Sequence, residues 1–173
     1  MRGVRAASKL RRMTKFTVDS PLGWIAVTIV VAAAAVPLSF VFWPTPLGVA
    51  TPPPSMLPLF MPIAVVIPAL SLGLGVAFML FGRKLLSAAG ASPLSRGAFF
   101  SIGWLLINWW PHSNFHRVAN GWTNIVVVDY FFHTTVIVAS CVVAAFFLSV
   151  VRERHEAGEM RDGARQVPST TTI

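Results

Sequence analysis

From Gly23 to Trp43 the chain reads GWIAVTIVVAAAAVPLSFVFW, 21 residues without one charged side chain. About 20 apolar residues carry a helix across the hydrocarbon core of a bilayer. Inside that core each backbone N–H and C=O needs an internal partner, so a lone apolar run of this length can only be helical. Two further runs follow, LFMPIAVVIPALSLGLGVAFMLFG (59–82) and NIVVVDYFFHTTVIVASCVVAAFFLSVV (124–151). A fourth segment opens at Ser92-Pro93, a helix start with proline at the first position, and includes AFFSIGWLLINWW. Residues 94–110 are at the lower limit for a span, and the helix either stops at Pro111 or passes through it with a kink. The fold class predicted is an all-α integral membrane protein. Four transmembrane helices (about 23–43, 59–82, 94–118 and 124–151) form a small bundle in a domain over 21–151. A basic tail (1–20) precedes it and a polar tail (152–173) follows.

Charge supports lipid as the main solvent. Only 12% of the 173 residues are charged, against about 25% in soluble domains. The formal charge of +8 raises nucleic acid as a partner, but the basic residues sit in short flanks beside apolar runs. They suit the anionic cytoplasmic leaflet of the lipid bilayer, and no nucleic acid is expected. Six Lys/Arg precede the first run; Arg83, Lys84 and Arg96 lie between the second and third; Arg152, Arg154, Arg161 and Arg165 follow the fourth. Only Arg117 falls on the other side. By the positive-inside rule both termini are cytoplasmic, in a multi-pass protein of the cell membrane.

A cleaved signal peptide competes for the first run, with a basic start and Ala33-Ala34-Ala35 as a cleavage motif. The apolar run continues to Trp43, which favours a retained helix. The proline-rich stretch 44–58 reads as a polyproline-type connector. In the second run Pro62 is read in the first turn and Pro68 inside, as a bend. Ser71, Gly73 and Gly75 form a thin strip where another helix can approach closely. Cys141, the single cysteine, reads as a small buried hydrophobe.

Function is legible only around WWPHSNFHRVANGW (109–122). Trp43, Trp109, Trp110 and Trp122 fall near the outer interface, where indole rings form belts. The belt does not explain the polar residues. Asn108, His112 and His116 are four apart and share one helix face, with Ser101 deeper. On the last helix Asp129 and His133 are also four apart, with Ser140 continuing the face. At 1.5 Å per residue from a common cytoplasmic level, His112, His133, His116 and Asp129 lie about 24, 27, 30 and 33 Å up. Adjacent antiparallel helices can therefore bring them together.

Ionisable groups within a span are functional by default. Imidazole and carboxylate suit a transition metal such as Zn, Cu or Fe, through His112, His116, His133 and Asp129 with Asn108 in support. Haem held by His112 and His133 is a variant. Asp129 can instead fix the tautomer of His133. An enzyme built on such a site would do metal-assisted or redox chemistry. Two other classes stay open: an accessory or scaffold subunit contacting other membrane subunits, and a proton- or ion-coupled carrier working as a homo-oligomer. The plain alternatives are histidines in a wet loop after Pro111, Asp129 paired with Arg117 or capping its helix, and His133 as a satisfied core histidine.

Overall fold

The computed structural model describes residues 20–44, 54–87, 90–118 and 126–165. The basic tail to residue 19, the proline-rich stretch 45–53, residues 88–89, residues 119–125 with Trp122, and the end beyond 165 lie outside the described residues. Five helical elements follow one another, α1 (Pro21–Phe42), α2 (Pro54–Phe81), α3 (Arg83–Ser87), α4 (Pro93–Val118) and α5 (Val126–Arg165), and no strand occurs among the described residues.

Helix starts follow the local chemistry. Ser20 accepts from the backbone N–H of Gly23 at 3.2 Å, and Pro21 takes the first turn, where a missing N–H costs nothing. Ser92 does the same for α4, accepting from Ser95 N–H at 3.1 Å ahead of Pro93. The polyproline reading fails at its end, because residues 54–58 are already helical. Pro54–Met56 is a 3₁₀ turn and Leu57 begins α-helix.

Pro62 heads a π-helical turn (Pro62–Val66) inside α2 rather than its first turn, and Pro68 follows directly. Proline at 68 has no N–H to give the turn before it, where Ile67 N–H bonds the carbonyl of Pro62 five residues back. In that turn the carbonyl of Ala64 accepts from the Ser113 hydroxyl of α4 at 3.0 Å.

The helices alternate in direction. On α1 and α2, Ala35 packs with Ala69 while Trp24 meets Phe78 and Phe81. On α2 and α4, Ser71 donates to the carbonyl of Leu106 at 2.8 Å, and Ser113 meets Ala64. α5 runs back along α4, with Val142 beside Gly97 at one end and Asp129 beside His116 at the other. The small-residue strip on α2 serves two neighbours. A Cβ on Gly73 would collide with the backbone carbonyl of Thr28 in α1, and one on Gly75 would sit 2.6 Å from Ile107 Cγ1 in α4. Glycine lets both backbones come this near.

Three helices are long and apolar enough to cross a membrane: Pro21–Phe42, Pro54–Phe81 and Val126–Arg161. Four were expected. α4 does not reach that standard because Arg96, Asn108, His112, Asn114, His116 and Arg117 lie along its 26 residues. It does continue through Pro111 as one helix to Val118. α5 is longer than the expected 124–151 and carries 40 residues to Arg165. Its charged end is supported one turn apart by Arg152–Glu156 at 2.7 Å and His155–Glu159 at 3.4 Å. Cys141 is exposed on α5, not buried as expected.

Candidate functional site

Because α4 runs unbroken through Pro111, the four-residue spacing of His112 and His116 is a helical spacing. Both rings leave one side of α4 and meet α5 where Asp129 and His133 repeat the same period. The wet-loop alternative for these histidines is thereby removed.

The convergence is on one oxygen. Asp129 Oδ1 lies 2.9 Å from His116 Nε2, 3.4 Å from His133 Nδ1 and 3.5 Å from His112 Nε2. His112 Nε2 and His116 Nε2 are 2.7 Å apart. The ring of His112 also stands edge-on to His133, with centroids 5.1 Å apart, and beside Phe132 at 5.2 Å. All four residues singled out from the sequence are therefore neighbours.

Their roles divide. His112, His116 and Asp129 each offer one ligand atom to a group that could hold a single ion. His133 stands beside that group. Its Nδ1 lies 2.8 Å from the backbone carbonyl of Asp129 and 3.4 Å from the carboxylate. An Nδ1–H in that position donates to the Asp129 carbonyl, and His133 lies outside the group of three whose ligand atoms converge. Asn108 is buried and makes no hydrogen bond to the cluster among the described residues.

Two states fit the three converging atoms. With both Nε2 atoms protonated, each imidazole can donate to the carboxylate, His116 at 2.9 Å and His112 at 3.5 Å. With both Nε2 lone pairs free, the same three atoms can accept one cation. Tetrahedral coordination at about 2.0–2.1 Å spaces ligand atoms by about 3.3 Å, so the present 2.7, 2.9 and 3.5 Å would have to open slightly around an ion.

Arg117 is elsewhere. Its Nη2 donates to the carbonyls of Ser39 at 2.8 Å and Trp43 at 2.9 Å, and to Asn114 Oδ1 at 3.4 Å. The guanidinium caps the last turn of α1 and lies 4.9 Å from the centre of the Phe40 ring. The alternative that pairs Arg117 with Asp129 is thus not the arrangement adopted. Trp110 also leaves the expected belt. Its Nε1 donates to Ser39 Oγ at 2.9 Å, and its ring meets Trp43 edge-on at 5.0 Å. Trp109 keeps an exposed, belt-like position. Sequence reasoning missed this α1–α4 clasp, although Ser39 and Asn114, both fully buried, were the polar residues to question.

No protein-family model matches the chain, and comparisons with curated proteins and with solved structures give no match.

Next to the cluster lies an open groove of about 430 Å³. Leu59, Phe60, Ile63 and Trp109 form its apolar wall, and His116 and Ser113 face it. The cluster is therefore reachable from the side of His116.

Proposed function

We propose that the chain is a four-crossing membrane protein, with both termini cytoplasmic, that holds one transition-metal ion where the outer ends of α4 and α5 meet. The observation that carries the metal reading is the convergence of His112 Nε2, His116 Nε2 and Asp129 Oδ1, three ligand atoms close enough together to hold a single ion. Two imidazoles and one carboxylate suit Zn(II) or Fe(II) and leave coordination positions open, as catalytic sites do. In that role the ion would act as a Lewis acid or activate a bound water. The geometry favours a bare ion over haem. The rings of His112, His116 and His133 are in edge contact, at 4.5 and 5.1 Å between centroids, with no slot between them for a macrocycle.

The fourth crossing rests on α4 lying antiparallel along α2. Its partners on α2 run from Met79 opposite Gly103 through Leu106 opposite Ser71 to Ala64 opposite Ser113, along a helix that is itself apolar enough to cross. The polar residues of α4 gather at the outer end, where a span can hold them. The charged end of α5 and the Lys/Arg count favour cytoplasmic termini.

The test is metal analysis of the detergent-purified protein, prepared without chelators, beside His116→Ala and Asp129→Ala. Near-stoichiometric zinc or iron in the wild type, lost in both variants, is the expected result. Wild-type protein that neither carries metal nor takes up Zn(II) or Fe(II) on titration would overturn the reading.

A further inference from the structure

Arg83 opens α3 and Arg96 lies in the first turn of α4, and both line one groove of about 500 Å³. The groove is at the end of the bundle that the Lys/Arg count assigns to the cytoplasm. Both side chains are exposed, and neither has a carboxylate partner among the described residues. The sequence gives the reason, since no Asp or Glu lies between Asp19 and Asp129. Glu153 of α5 lines a different groove, beside Arg154. Two guanidiniums on one groove repel each other, and a bound anion offsets that repulsion.

The apolar part of the groove narrows the anion. Leu86 is buried in its wall, and Phe99 and Phe100 follow Arg96 on α4, about 5–6 Å further toward the hydrocarbon. A free phosphate would meet the arginines and leave these rings uncovered. A phospholipid meets both, because its phosphate sits at the edge of the core and its acyl chains lie below. Phosphatidylcholine would bring an ammonium group to the arginines, so a head of net negative charge fits better. Arginine suits a phosphate because its planar fork can give two hydrogen bonds at once. We propose that the groove shared by Arg83 and Arg96 binds the head of one anionic phospholipid of the phosphatidylglycerol type, with an acyl chain over Phe99 and Phe100. The proposal rests on the membrane placement above and is independent of the metal.

The test is native mass spectrometry of the full chain in detergent, titrated with phosphatidylglycerol and with phosphatidylcholine of the same acyl chains. Wild type binds one phosphatidylglycerol about tenfold more tightly than phosphatidylcholine. Arg83→Gln and Arg96→Gln each weaken that binding about tenfold, the worth of a hydrogen bond to a charged group. Arg161→Gln makes the same charge change on the exposed end of α5 and leaves the binding unchanged. Ala91→Trp keeps both arginines but fills the groove from an exposed position, and it weakens the binding as well. Inorganic phosphate in excess does not displace the lipid. Equal affinity for the two lipids in wild type, or unchanged binding in either arginine variant or in Ala91→Trp, would overturn the proposal. So would an equal loss in Arg161→Gln, the mark of general charge attraction, or displacement by phosphate, the mark of an anion site that needs no lipid. Metal content stays at the wild-type level in all four variants, and binding in detergent does not depend on which way the chain faces, so the readings fail separately.

Discussion

His116 Nε2 and Asp129 Oδ1 lie 2.9 Å apart, across the seam between α4 and α5 and thirteen positions apart in the chain. The contact joins the C-terminal end of α4 to the N-terminal end of α5, where His112 and His133 stand around the same carboxylate. A ligand and a positioning residue should then respond differently to replacement. Asp129→Asn keeps the shape and removes the charge and one lone-pair donor, so metal binding should be abolished. His133→Ala leaves the three ligand atoms in place and removes only their support, so affinity should fall about 10- to 100-fold. Zn(II) titration by calorimetry reads both. Equal losses in the two variants would put His133 among the ligands.

Glycines on α2 and α5 should behave oppositely. Gly73→Ala puts a methyl group into the carbonyl of Thr28, and overpacking of this kind costs about 1–3 kcal/mol. At Gly158, on the charged end of α5, a Cβ meets nothing within 4 Å. Gly158→Ala should stabilise by about 0.5–1 kcal/mol through helix propensity alone. Thermal unfolding in detergent should show a lower midpoint for the first and an equal or higher one for the second. A tolerated Gly73→Ala would mean that α1 and α2 are not this close.

Removing Arg117 tests a different kind of contact. Its Nη2 atom reaches two carbonyls at the end of α1 and the Asn114 amide, a place that the shorter lysine side chain reaches only in part. Arg117→Ala should cost about 1–3 kcal/mol, and Arg117→Lys should recover part of it. Metal content should not change in either, since Arg117 does not pair with Asp129. Loss of metal in Arg117→Lys, with the melting midpoint preserved, would place Arg117 in the site.

The same residue shows where the sequence stops being informative. Charge counting treats Arg117 as the lone cation on the outer side, but it reaches the backbone carbonyls of Ser39 and Trp43, which no side-chain pattern announces. Trp110 is similar: four tryptophans near one interface suggest a belt, and only the fold reveals that Ser39 stands opposite this one. The helix starts at Ser20 and Ser92 were nearer the surface of the sequence, because caps are local chemistry. So was the meeting of His112, His116, Asp129 and His133, which needs only helical spacing and similar depth. Whether His133 is a ligand or a support depends on helix rotation, and rotation is set by the packing of the whole bundle.

Pro68 and Ser113 offer the sharpest check on that packing. Pro68 has no N–H to give the turn that holds Ala64, and Ser113 donates to the Ala64 carbonyl at 3.0 Å. Ser113→Ala should cost about 1 kcal/mol, in keeping with single hydrogen bonds between membrane helices. In a Pro68→Ala background the backbone N–H at 68 can return to the Ala64 carbonyl, and the same Ser113→Ala should cost almost nothing. The double-mutant cycle isolates this term from any general effect of either change. Equal costs in the two backgrounds would show that Ser113 contributes by packing, and that the Ala64 carbonyl has its partner elsewhere.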